Sequence, residues 1–180
     1  MLNEGQRKTL LRIARESIAA VLEGHRPDLS GYDVDDELRR PAGAFVTLTE
    51  MGHLRGCIGS ILPVAPLFEA VLRSAVNAAF HDPRFHPLAT GELDRIELEI
   101  SVMGPIVQVA SVDEVRVGRD GLIISRGSRV GLLLPQVARE YGWDLETFLS
   151  QTCLKAGLPP SAWHENDTKI ERFSAEYFGE

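Results

Sequence analysis

Apolar residues along the chain repeat with two different periods, and the switches between them predict its elements. Residues 3–23 follow helical spacing, with Leu10, Ile13, Ala14, Ser17, Val21 and Leu22 on one stripe. Asn3 is placed to cap that helix, Gln6 follows it at capping-box spacing, and Gly24 closes it. Residues 25–42 are polar and carry Pro27, Gly31 and Pro41, so they read as a surface connection with a short helix around Asp35–Arg40. Ala44–Thr49 and His53–Ser60 are rich in strand formers and flank Glu50-Met51-Gly52, which predicts a β-hairpin. A second helix spans roughly 65–80, with Pro66 suited to its first turn and Leu67, Val71, Ala75 and Ala78 in one row. Pro83 stops it.

Beyond that stop the period returns to two. Ile96-Glu-Leu-Glu-Ile-Ser-Val alternates as a half-buried strand does, and Pro105–Val109 reads as its continuation or a partner. Gly121–Ser125 and Arg129–Leu134 form a second hairpin pattern around Arg126-Gly127-Ser128. Pro135–Tyr141 and Asp144–Ala156 follow as helices, the latter capped by Asp144 and stopped by Gly157. Lys169–Phe178 alternates again as a closing strand. Hairpins outnumber βαβ units, so the fold class is α+β with a mainly antiparallel sheet. Two similar halves fit this order, although no internal repeat is legible.

Composition removes whole classes of function. With 180 residues, 44% hydrophobic and 25% charged, the chain suits one folded domain spanning residues 1–180. The 26 acidic against 19 basic residues give a net charge of −7, which disfavours nucleic acid and anionic membranes. A local basic patch from Arg116, Arg119, Arg126 and Arg129 is the one counter-indication. No apolar run is long enough to span a bilayer, and the charged N-terminus does not resemble a secretory signal. Two cysteines without CxxC, HExxH or His/Cys clusters argue for reduced thiols in the cytoplasm, with no metal and no cofactor.

The most distinctive stretch is Leu54-Arg55-Gly56-Cys57-Ile58-Gly59. Regular strand alternation puts Leu54 and Ile58 on the core face and His53, Arg55 and Cys57 on the other. Residues two apart lie roughly 6.6 Å apart along the strand, so the Arg55 guanidinium can reach beside the Cys57 sulfur and favour thiolate. Gly56 and Gly59 leave room for a ligand or another backbone. Cys57 is therefore a candidate nucleophile, and equally a small packing residue. Cys153 lies on the apolar stripe of its helix and reads as packing.

A second candidate segment is His81-Asp82-Pro83-Arg84-Phe85, at a helix end. His81 suits a general base and Asp82 can orient it or Arg84. The alternative is a plain turn, with Arg84 paired and Phe85 packed. Glu97, Glu99 and Ser101 share one strand face, which serves acid–base or cation-binding chemistry if it is not simply solvated.

The hexapeptide resembles the hallmark of the AMMECR-type domain, the protein A component of the AmmeMemoRadiSam system. The likeness continues in order through Ala79–Leu88, Glu97–Val102, Asp120–Leu122, Gly131–Val137 and Thr152–Leu158, from about residue 5 to 178. It implies a barrel-like sheet with flanking helices in two unequal lobes, and a cleft at the hexapeptide. It also implies a cytoplasmic protein accompanying a Memo-type, dioxygenase-like protein and a radical SAM protein. The family transfers no settled activity, and the metal and SAM chemistry belongs to the companions. Matching site positions are Arg55, Gly56, Cys57, Gly59, Asp82, Arg84 and Phe85, with His81 and Glu99 added from the residue reading. Two functions follow. One is a small-molecule-binding or accessory subunit; the other is a thiol-dependent enzyme using Cys57, Arg55 and His81.

Overall fold

The computed structural model describes residues Met1–Glu180, and the chain divides into two compact units. Met1–Met103 and Glu176–Glu180 form unit 1; Gly104–Ala175 form unit 2. The fold is α+β with antiparallel strand pairing and flanking helices, as the alternating periods predict.

Unit 1 begins with helix α1 (Glu4–Leu22), where Asn3 and Gln6 complete the capping box and Gly24 turns the chain out at φ 77°. Its buried face is Leu10, Ile13, Ala14, Ser17 and Ile18. Val21 and Leu22, placed on the stripe by spacing, are only half-buried because the helix ends there. The short helix α2 (Asp36–Arg39) is capped by Asp35, whose side chain accepts the Leu38 N–H. Strands β1 (Ala44–Glu50) and β2 (His53–Ser60) form the expected hairpin. Met51 and Gly52 both have positive φ, 52° and 77°, the requirement of a tight two-residue hairpin turn.

Helix α3 (Leu67–Phe80) buries Leu67, Phe68, Val71, Ser74, Ala75, Ala78 and Ala79. Strand β3 (Ile96–Met103) pairs antiparallel with β1, giving the order β2-β1-β3. Ala44, Val46, Leu48, Ile96, Leu98 and Ile100 face one core with the apolar rows of α1 and α3. Phe45, Thr47 and Thr49 point the other way, in register with Ser101, Glu99 and Glu97.

Unit 2 contains strands β4 (Val107–Gln108), β5 (Asp120–Arg126) and β6 (Arg129–Leu133), helices α4 (Pro135–Glu140) and α5 (Leu145–Lys155), and most of β7 (Lys169–Gly179). β5 pairs with β6 on one side and β7 on the other, and β4 is a partner of β7 rather than a continuation of β3. Phe148, Leu149 and Cys153 of α5 pack with Leu122, Ile124 and Ala138 in a second core. Gly131 makes this packing close: a Cβ there would lie 2.3 Å from the Ala156 nitrogen and 2.6 Å from the Thr152 carbonyl oxygen.

No helix is long and apolar enough to cross a membrane. The arginines of the suspected basic patch are largely engaged. Arg119 pairs with Asp120, Arg126 lies 3.6 Å from Asp167, and Arg129 donates to the Gly157 carbonyl.

Candidate functional site

The hexapeptide lies on β2, and its geometry departs from regular alternation. β1 and β2 pair Thr49 with Leu54 but Leu48 with Gly56, so Arg55 is an extra residue in a β-bulge. The bulge reverses the faces expected for the first half of the strand. Gly56 and Ile58 oppose the core residues Leu48 and Val46, while Leu54 opposes Thr49 and is 44% exposed. Leu54 therefore shares the outer face with Cys57, not the core face that alternation assigns to it, while Gly56 and Ile58 keep theirs.

Of the two approaches the glycines allow, by a ligand or by another backbone, the structure shows the second. A Cβ on Gly56 would come within 2.2 Å of the Ala78 carbonyl oxygen, so the strand lies directly on α3. At Gly59 the same atom would fall 2.4 Å from the Phe45 ring and 2.3 Å from the Ala44 carbonyl oxygen. Both spaces are already filled by this chain.

β2 is the outer strand of its sheet, so alternate residues turn their N–H and C=O away from β1. Cys57 is one of these, and the loop after α3 supplies its partners. Asp82 Oδ2 accepts the Cys57 N–H at 2.9 Å, and the Arg84 guanidinium donates to the Cys57 carbonyl at 3.2 Å. Arg84 also binds both Asp82 carboxylate oxygens, at 2.9 and 2.7 Å, and its own N–H reaches Oδ1 at 3.1 Å. Asp and Arg side chains thus mimic the backbone of a neighbouring strand. The Asp82 side chain is only 1% exposed. Arg84 hydrogen bonding and the Cys57 and Arg84 backbone N–H groups hold its carboxyl well below the usual range, against the opposing effect of burial.

A second tie joins the bulge to the following turn. Arg55 donates through Nε and Nη2 to the two oxygens of Glu92, at 2.7 and 3.1 Å. Glu92 also accepts the Ala89 N–H at 2.8 Å, which fixes the 3₁₀ turn Thr90–Glu92. Hydrogen bonding to Arg55 lowers the Glu92 pKa, assisted by the Ala89 N–H. The Phe85 ring lies near both guanidiniums, its centroid 6.0 Å from the Arg55 carbon and 5.5 Å from that of Arg84. Arg55, Arg84, Phe85, His86, Pro87, Ala89 and Glu92 line an open pocket of about 490 Å³.

Cys57 is half-buried, and its sulfur accepts a hydrogen bond from the Thr47 hydroxyl at 3.3 Å. Thr47 stands between Cys57 and Glu99 in the strand register, so these three occupy one row on the outer face. The Arg55 guanidinium, expected beside the sulfur, is instead directed to Glu92. His81 caps the C-terminus of α3 through its backbone, has an exposed side chain and does not line the pocket. The structure thus joins Cys57, Asp82 and Arg84 in one network and Arg55, Phe85 and Arg84 around one pocket.

Residue reasoning missed Glu92, His86, Pro87, Ala89 and Thr47. A signal existed for Glu92, since Ala89-Thr-Gly-Glu92 has the spacing of a backbone-capping turn. Cys153 is fully buried as expected, and burial raises its thiol pKa. Brief treatment of the native protein with iodoacetamide is therefore expected to label Cys57 well ahead of Cys153. Equal labelling of both by peptide mass mapping would contradict the burial of Cys153.

The fold and this site define a two-unit α+β protein in which an RGCIG-bearing strand is tied by two arginine–carboxylate pairs to the loop that follows its helix. Residues 11–178 match the AMMECR1 family, and the chain belongs to that family. A protein of Methanothermobacter thermautotrophicus is 46% identical over 185 residues, covering 99% of this chain and 96% of its own length. Protein PF1979 of Pyrococcus furiosus is 45% identical over 181 residues, covering 95% of this chain and 86% of that protein. The crystal structure of protein PH0010 from Pyrococcus horikoshii superposes with a TM-score of 0.86 at 42% identity, covering 95% of this chain and 89% of the other.

Proposed function

We propose that this AMMECR1-family protein is a small-molecule-binding accessory protein of the cytoplasm. In this reading residues 1–180 act as one domain, working beside a Memo-type protein and a radical SAM protein. The observation that carries the binding reading is the pocket lined by Arg55, Arg84, Phe85 and Glu92. Its charged groups are already oriented by fixed ion pairs, which suits recognition because little side-chain ordering remains to be done on binding. The companion proteins enter from the family resemblance. Purified protein is expected to shift its melting temperature with at least one member of a metabolite panel, and to be retained by one immobilised companion. Failure of both measurements removes this reading.

A second reading, a thiol-dependent enzyme using Cys57, is favoured by the Thr47 hydroxyl hydrogen bond to the sulfur. Such a donor stabilises a thiolate more than a thiol. In that mechanism Arg55 would act from its pairing with Glu92, and His81 from its exposed position at a helix end. The enzyme reading expects iodoacetamide to alkylate Cys57 faster at pH 7 than it alkylates a cysteine in an unstructured peptide, and the rate to fall when Thr47 is replaced by Val. A rate no faster than the peptide's and unaffected by Thr47→Val eliminates it.

A further inference from the structure

We propose that the pocket of unit 1 recognises a carboxylate carried on a flat or apolar carbon frame, with Arg84 and Arg55 as the carboxylate donors and Phe85 as the apolar wall. The inference rests on the binding reading above and specifies its ligand class.

A guanidinium has five N–H donors in one rigid plane. At Arg55, Nε and Nη2 are satisfied by Glu92, whereas Nη1 is buried without a hydrogen-bond partner. Buried donors in folded proteins are nearly always satisfied, so an orphan on a pocket-lining arginine points to an acceptor that arrives from outside the chain. At Arg84, Nε and Nη2 are committed to Asp82 and the Cys57 carbonyl, and just over half of the side chain is exposed. Both guanidiniums line the pocket and bracket the same phenyl ring. Arg84 offers the first contact. Nη1 of Arg55 is closed to solvent and supplies the second contact once the side chains around it give way, with Phe85 lying against the ligand's carbon frame.

The carboxylates behind the arginines decide the charge class. Glu92 and Asp82 balance Arg55 and Arg84, and Glu92 itself lines the pocket. A polyanion would therefore meet a negative wall, while a monoanion meets directed N–H groups. A carboxylate matches the planar fork of arginine, and an apolar frame uses Phe85.

Isothermal titration with benzoate and its neutral isostere benzamide tests the assignment on the full chain. Benzoate is expected to bind at least about tenfold more tightly than benzamide. Arg84→Gln should remove that preference, and Phe85→Ser should weaken both ligands. Because Arg84→Gln also loosens the tie to Asp82, Arg84→Lys serves as the second variant: it retains charge, and should lose most of the preference with the planar fork. Equal affinity for benzoate and benzamide overturns the carboxylate assignment while leaving a binding pocket. Benzoate binding unchanged in both Arg84 variants overturns it too, as does no binding of benzoate. In that last case a melting shift with another metabolite still upholds the binding reading.

Discussion

Gly56→Ala is expected to lower the unfolding free energy by at least about 3 kcal/mol, the upper range for overpacking a core. The added methyl would meet the Ala78 carbonyl oxygen at 2.2 Å and its carbon at 3.1 Å. Both obstacles are backbone of a buried helix turn, so no side chain can rotate out of the way. Either β2 lifts from α3 or the helix shifts along it, and each movement opens contacts among Leu48, Val71 and Ala75. For a chain of this size the loss corresponds to a melting decrease of roughly 6–12 °C. Gly91→Ala provides the control, because nothing lies within 4 Å of its Cβ and its φ is not positive. A Gly56→Ala melting point within about 2 °C of the Gly91→Ala protein would mean that strand and helix are not in this contact.

This glycine also shows where reading along the chain stops short. Helix and strand positions follow from local periodicity, and the hairpins follow from their turn residues. A glycine in a strand signals close approach, yet the pattern does not say whether the approaching group is a ligand or a helix. At Gly56 it is the Ala78 carbonyl. The bulge is still less visible. With unbroken pairing from the Met51–Gly52 turn, Thr47 would oppose Gly56; one extra residue at Arg55 moves the register and puts Thr47 against Cys57. Nothing in Leu54-Arg55-Gly56 distinguishes a bulge from a regular strand, so the faces of Leu54 and Arg55 were open to misassignment.

The site ties are long-range and have no local period to betray them. Cys57 and Asp82 are 25 positions apart, and Arg55 and Glu92 are 37 apart. Sequence showed both candidate segments because each has unusual composition, but the pairing depends on how α3 carries the chain back beside β2. One point of likeness between the two units has the same character. Each unit lays a helix on the second strand of a hairpin at a glycine, Gly56 in one and Gly131 in the other. One glycine per unit is too sparse to register as a repeat.

The Asp82–Arg84 tie makes the second large prediction, one that depends on pH. Asp82→Asn keeps the shape but removes the charge that holds Arg84 and the Cys57 N–H, and it turns an NH₂ group toward one of those donors. The expected destabilisation at pH 7 is about 2–4 kcal/mol, the range for losing charge-assisted bonds at a buried carboxylate. Arg84→Gln should cost less, about 1 kcal/mol, because more than half of that side chain is in water. The carboxyl of Asp82 has a folded pKa below its unfolded value of about 3.9, so its contribution is complete above the unfolded value and declines as pH falls toward the folded one. The difference between wild type and Asp82→Asn should therefore stay level from pH 7 to about 5 and shrink below about pH 4. Urea unfolding of both proteins across that range measures it. A difference below about 0.5 kcal/mol at pH 7 would show that Arg84 and Cys57 find other partners at no cost, and one unchanged at pH 3 would place the stabilisation in packing rather than in the ionised carboxylate.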